Sequence, residues 1–376
     1  MDKVLYAKAV FGRAEKDAVL KSLENEFLSV GSNTAEFEKQ IAEIFGKKYA
    51  VFVNSGSSAN LLVSQLIPKG EVITPALTFA TTLTPLLQCG LKPVFIDSDF
   101  QMFLPTLEAI QSAVTDKTTA IMIPDLLGNR MDSKTLREFC DYNGLLYIQD
   151  SCDTVIKDTA HGHFVTTSFY GSHIITAMGG GGMVMSDDKE AIDRIRTMRD
   201  WGRGVDVSEK IEDRYAYKID EIPYDGKFVY TEQGFNMRPV DAQAAFGLEQ
   251  LKRFPVFVIQ RKKNFKQLYD FFSQFPYINL PISQFNPNWL AFPITLNNAP
   301  FTRYELVDWF ESHNIQTRPI FSGNVTRHAA FREYRGDFPN ADYVMEHGIL
   351  LGIHQGLTQE QIDYIKQTYE DFIRRS

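Results

Sequence analysis

The sequence predicts an α/β fold, with a large domain on a parallel sheet and a smaller domain after it. Three observations predict this. Short runs that are apolar throughout, such as YAVFV (49–53), EVITP (71–75) and LLYIQD (145–150), recur along the first half. Helical patterns separate them, as in a parallel sheet with right-handed crossovers. The length, 376 residues, suits two domains better than one core.

The chain opens with a helical pattern, EKDAVLKSLENEFL, a turn at Val30-Gly31-Ser32-Asn33, and a second helix, TAEFEKQIAEIFG. YAVFV then leads through SGSS into an apolar helix, NLLVSQLI. EVITP, KPVFIDSD (92–99), AIMIPD (120–125) and LLYIQD follow as strands, with helices near 106–115 and over SKTLREFCDYNG between the later ones. Strands apolar on both faces are covered on both faces. GGMVMSD (181–187) and a helix from 188 complete the large domain. A helical stretch over 238–275 bridges to the smaller one, where WLAFPITL reads as a strand and TRYELVDWFESHN and TQEQIDYIKQTYEDFIR as helices. QFNPNW (284–289) reads as a turn inside that domain.

Composition narrows the function. The chain is 44% hydrophobic and 23% charged, as in ordinary globular proteins, with net charge −8, which disfavours non-specific nucleic-acid binding. Cys89, Cys140 and Cys152 form no CxxC pair, so a four-cysteine metal or iron–sulfur site is not expected. They suit reduced thiols in the cytoplasm. The first residues lack an apolar signal core, and no run of about 20 apolar residues suggests a membrane span.

Ligands of open parallel sheets bind beyond the carboxyl ends of the strands. After YAVFV comes Asn54-Ser55-Gly56-Ser57-Ser58-Ala59-Asn60, which suits either a phosphate at a helix N-terminus or a plain capping turn. After EVITP comes Phe79, a core residue or a stacking platform. After AIMIPD comes the small turn Leu126-Leu127-Gly128-Asn129. Asp150 ends a buried strand and needs a partner, whether a cationic ring nitrogen or the next turn; Asp153 follows. SFYGSHIITAMGGGG (168–182) places His173 before four glycines, either as a settled structural residue or at a ligand site.

In order along the chain, NSGSSANLL, ITPALTFATT, VFIDSD, LLGN, QDSCD, SFYGSHIIT…GGGG and GFNMRPVDAQAAFGLEQL resemble the DegT-type sugar aminotransferase family, over nearly the whole length. The resemblance implies a fold-type I pyridoxal-phosphate (PLP) architecture: a large domain (1–250) with a mixed, mostly parallel seven-stranded sheet, and a smaller C-terminal α/β domain (251–376). It implies that the Gly56-Ser57 turn and Ser168 hold the cofactor phosphate, Phe79 stacks on the ring, Asp150 pairs with the ring nitrogen and Asp153 sits near the ring hydroxyl. Asn236 matches an asparagine that reaches the phosphate from a partner subunit, so a homodimer with shared sites is implied.

The departure is His173, which stands where family aminotransferases carry the lysine that binds the cofactor covalently. Histidine cannot make that bond stably, but it can act as a base near neutral pH. This change resembles the nucleotide-sugar 3-dehydratases. In these, the pyridoxamine (PMP) form condenses with a 4-keto-6-deoxyhexose and the C3 hydroxyl is expelled, in deoxysugar synthesis for surface polysaccharide. One branch carries an iron–sulfur cluster; the other takes its amino group from glutamate. RDWGRGVDVSEKIEDRYAY resembles the cluster branch but has no cysteine, so the cluster-free, glutamate-recharged branch is implied. Arg238 and Arg318 could bind glutamate carboxylate or pyrophosphate, or make structural ion pairs. His328, His347 and His354 receive no role. Two other readings remain: an aminotransferase using another lysine, such as Lys157, and a non-catalytic sugar-nucleotide-binding protein.

Overall fold

The computed structural model describes residues 3–24, 28–155, 157, 160–204 and 207–375. Seven strands form the larger sheet: β1 (Tyr49–Val53), β2 (Glu71–Pro75), β3 (Lys92–Ile96), β4 (Thr118–Pro124), β5 (Leu146–Asp150), β6 (Phe164–Ser168) and β7 (Gly182–Ser186). Their order is β1-β7-β6-β5-β4-β2-β3. β7 is antiparallel to both neighbours; every other pairing is parallel. The mixed, mostly parallel seven-stranded sheet is therefore as expected.

Side chains alternate across a strand, so one apolar run feeds two cores. Phe52, Val165 and Met183 join one core, with Phe37 and Phe45. Their neighbours Val51, Val53, Phe164 and Val184 join the other, with Leu62 and Val63. The helices of this half are α1 (Arg13–Glu24), α2 (Ser32–Phe45), α3 (Gly56–Ser64), α4 (Ala80–Gln88), α5 (Leu107–Ala113), α6 (Ser133–Asn143) and α7 (Lys189–Arg199). A small hairpin, β8 (Tyr217–Ile219) and β9 (Ile222–Tyr224), follows the short α8 (Ile211–Arg214).

A second sheet has the order β10-β11-β13-β12, from β10 (Ile278–Asn279), β11 (Phe292–Leu296), β12 (Thr317–Arg318) and β13 (Gly348–Leu351). The helix α9 (Asp241–Phe272) joins the two halves, and α10 (Arg303–Ser312), α11 (Pro339–His347) and α12 (Gln359–Ile373) pack around the second sheet. Its core, with Phe292, Phe310 and Tyr369, continues into Leu77 and Leu127, in the turns after β2 and β4. The second sheet is thus seated on the carboxyl edge of the first.

Several local expectations shift. The turn at Val30-Gly31-Ser32-Asn33 is shorter, because α2 already starts at Ser32. Its first donors, including Gly31 N–H (3.0 Å) and Thr34 N–H (2.9 Å), are accepted by Asp241 Oδ1 at the start of α9. The first helix ends at Glu24, and Asn25, Glu26 and Phe27 of its expected span lie outside the described residues. α9 is unbroken through Pro255, whose ring faces solvent, and it crosses position 250, where the sequence sets a domain border. QFNPNW is irregular as expected, and its Trp289 joins the core of the second sheet. The segment also packs on the turn after β4, where a Cβ on Gly128 would stand 2.6 Å from Asn288 O.

Candidate active site

Parallel strands β2, β4, β5 and β6 deliver their carboxyl ends to one edge, and a cavity of ≈ 300 Å³ opens there. Gly56, Ser57, Phe79, Asp150, Asp153, Ser168 and His173 all line it. Seven of the ten residues singled out in the sequence thus meet in one place.

Gly56 and Ser57 are the first residues of α3, and Ser55 caps it by accepting from Ser58 N–H (3.1 Å). The leading N–H groups of a helix have no partner along it, and its dipole favours an anion there. Gly56 is packed so tightly that a Cβ would lie 2.7 Å from Ser168 Cβ and 2.8 Å from Cys152 Sγ. The opposite wall is Phe79, half exposed, in edge contact with Phe321 of the second half (6.0 Å).

Asp150 closes the floor. Its Oδ2 accepts from Asn60 Nδ2 and Thr82 Oγ1, both at 2.8 Å, and Oδ1 accepts from Cys152 N–H at 3.2 Å. Thr166 Oγ1 donates to Asn60 Oδ1 (2.6 Å), which fixes the amide. Among the described residues no lysine, arginine or histidine forms an ion pair with this buried carboxylate. Asp153 accepts from Leu127 N–H (2.9 Å). Burial, with Asp150 and Asp125 adding repulsion, raises its carboxyl to about 7.

His173 follows β6 in a loop. Its Nδ1 lies 3.1 Å from Ser168 O. A carbonyl only accepts, so Nδ1 carries the proton and Nε2 keeps a lone pair. Burial lowers the pKa of the ring; Arg261 lowers it further, while the Ser168 bond and Asp150 oppose the shift. The neutral form, with Nε2 as a free base, is therefore favoured at neutral pH.

Three sequence candidates lie elsewhere. Asn236 is exposed and pairs by backbone with Asp200. Arg238 approaches Asp200 (3.5 Å) and sits over the Trp201 ring. Arg318 is exposed, donates to Thr317 O and lies over Tyr6. Lys157 lines other cavities. Conversely, Thr82, Thr166, Tyr170 and Phe321 belong to the site or its clasp and received no role from the sequence, and Asn60, named there only as part of a turn, holds Asp150.

Fold and cavity together define a cofactor-binding α/β protein of the sugar-aminotransferase kind. The chain matches the model of the DegT/DnrJ/EryC1/StrS aminotransferase family over residues 11–370 and belongs to that family. It is 35% identical to the dTDP-4-dehydro-2,6-dideoxy-D-glucose 3-dehydratase of Saccharopolyspora spinosa, over 98% of this chain and 86% of that protein. The structure of E. coli GDP-4-keto-6-deoxy-D-mannose-3-dehydratase with bound hydrated PLP superposes with a TM-score of 0.88 at 29% identity, covering 98% of this chain and 99% of that one. A GDP-4-keto-6-deoxymannose-3-dehydratase with a trapped PLP-glutamate geminal diamine matches with a TM-score of 0.87 at 28% identity, covering 97% and 99%.

Proposed function

We propose that the chain is a PLP/PMP-dependent 3-dehydratase that removes the C3 hydroxyl of a nucleotide-linked 4-keto-6-deoxyhexose and draws its amino group from glutamate. The observation that carries this is His173, with a free Nε2, in a cavity that otherwise keeps the family's cofactor residues. The relatives' named activities and cofactor support the same reading.

The residues fit the cofactor. The cradle at Gly56, which a Cβ would fill, and the α3 N-terminus suit its phosphate, with Ser168 beside them. Asp150, buried and held by neutral donors, suits a protonated ring nitrogen. Phe79 would cover a ring face and Asp153 would meet the ring hydroxyl. When bound, the cofactor supplies an electron sink for the chemistry at the sugar.

The chain's own residues do the rest. Ser168 O holds the Nδ1 proton and so aims Nε2 of His173 as the base. With sugar and cofactor bound, His173 Nε2 would take a proton from the carbon that the cofactor acidifies and deliver it to the departing C3 oxygen, which leaves as water. Asp150 stays held in its clasp by Asn60, Thr82 and the Cys152 N–H. We further read the protein as a homodimer in which Asn236 serves the partner's cavity; its exposure and its absence from the lining of its own cavity suit that role. Cys89, Cys140 and Cys152 lie on α4's end, α6 and the turn after β5, which supports the cluster-free branch. Among the described residues no helix is long and apolar enough to cross a membrane.

The test is incubation with GDP-, CDP- and dTDP-4-keto-6-deoxyhexoses, PLP and glutamate, followed by mass spectrometry. Loss of one oxygen from one sugar is expected, and its loss on His173→Asn. A lysine trapped on PLP by borohydride, or no deoxygenation with any of the three, would sink the proposal.

A further inference from the structure

We propose that Arg261 is a positioning residue for His173: it fixes, through Gln355, the loop that carries the ring, and it sets a positive charge near the imidazole. This rests on His173 being the base.

Arg261 lies on α9 and is 1% exposed. Its Nη1 donates to Gln355 Oε1 (2.9 Å), its Nε and Nη2 to Trp289 O (3.3 and 3.0 Å), and Nη2 also to Leu290 O. Among the described residues no carboxylate pairs with it. A buried cation held only by carbonyl and amide dipoles is costly, and apolar replacements of buried charges are often neutral or stabilising. Stability alone gives little reason for an arginine here.

The contacts point to the cavity. Gln355 Nε2 donates to Ile174 O (3.1 Å), the carbonyl of the residue after His173. The chain Arg261–Gln355–Ile174 therefore ties the loop from the second half of the molecule, while Ser168 O ties the ring from β6. Without both ties the ring could turn Nε2 away from the cavity.

The charge acts as well. Asp150 at the end of β5 faces His173 and favours its protonated form, while Arg261 disfavours it. Cys152, Asp153 and Tyr170 share the cavity. The thiol of Cys152 is pushed up by burial and stays neutral, and Asp153 titrates near 7. His354, beside Gln355, is pushed down to about 4 by burial and then by Arg261. Arg261 itself falls to about 10 through burial, so it is charged at working pH. Burial does most to keep Nε2 unprotonated, and Arg261 adds to it by offsetting Asp150.

The experiment has two readouts. The titration of the His173 ring is followed by NMR in the PLP-free protein, and kcat/KM is measured against pH in the loaded enzyme. Arg261→Met should raise the His173 midpoint by about one pH unit and move the acid limb of the profile with it. Arg261→Lys keeps the charge but loses the fork: the midpoint should stay, and kcat should fall about tenfold or more. Gln355→Ala should do the same, with KM nearly unchanged. If Arg261→Met does not fold, the lysine and alanine variants still decide. An unmoved midpoint in Arg261→Met, or full kcat in both other variants, overturns the proposal. If the midpoint moves as expected yet no sugar loses oxygen even with the unaltered enzyme, the dehydratase reading fails and the role of Arg261 stands.

Discussion

Asp125 does not line the cavity, yet its charge helps raise the carboxyl of Asp153, which does. Asp125 is 3% exposed and accepts from Gln149 Nε2 (2.9 Å) and from Ser151 Oγ. Burial raises its carboxyl to about 7; the two donors and Arg130 oppose the shift, and Asp150 adds to it. Its unfolded value is about 3.9. A raised folded value means stability that is full below the unfolded pKa and lost as pH rises through about 7. Asparagine can accept both hydrogen bonds and has no charge to bury. Asp125→Asn should therefore stabilise the PLP-free protein relative to wild type at pH 8 more than at pH 5, by on the order of 2 kcal/mol. Urea unfolding at the two pH values measures this, and an equal difference at both would refute it. At this scale the sequence is half legible. Asp150 stands out because a carboxylate at the end of an apolar strand needs a partner. Its partners do not stand out: Asn60, Thr82 and Thr166 lie 90, 68 and 16 residues away. Only the crossovers of a parallel sheet bring them together.

At the scale of elements, the Ser55–Gly56 turn is held by the meeting of two strands and one helix. β7 enters the sheet between β1 and β6, and its first residue faces the top of β1. A Cβ on Gly182 would stand 2.3 Å from Ser55 C and O and 2.5 Å from Gly56 N. Gly181, at φ 111, turns the chain into that contact. The glycine run thus serves α3 more than the loop that carries His173, and nothing in the structure requires glycine at 180. Gly182→Ala should displace the Ser55–Gly56 peptide and weaken PLP binding about tenfold or more, roughly 1.4 kcal/mol. The far-UV CD spectrum should stay native. PLP absorbance titration measures the affinity, and wild-type affinity would show that the contact is slack. The run was visible in the sequence as a bend, but its partner, Ser55, was 127 positions away. The strands themselves were legible because burial on both faces makes them apolar throughout. Helix limits were less so: Asp241 caps α2 from more than 200 residues away, and α9 runs on through Pro255.

For the whole molecule, the open question is whether one chain completes its own site. Seven residues close around the cavity, but Asn236 is exposed and outside it. Large apolar side chains are also exposed near it in sequence, among them Ile222, Tyr224 and Tyr230, about the β8–β9 hairpin. A two-fold dimer would cover such a surface and exchange Asn236 between sites. The arithmetic of mixing tests this. If Asn236 serves the partner, a dimer of one His173→Asn chain and one Asn236→Ala chain has one site with both defects and one with neither. Each variant alone should be nearly inactive. Unfolded and refolded together in equal amounts, half the dimers are mixed and half of their sites are intact, so about one quarter of wild-type activity should return. If Asn236 serves its own chain, every site keeps one defect and no activity returns. If Asn236→Ala alone keeps full activity, Asn236 has no part in the site, and the dimer loses its catalytic reason.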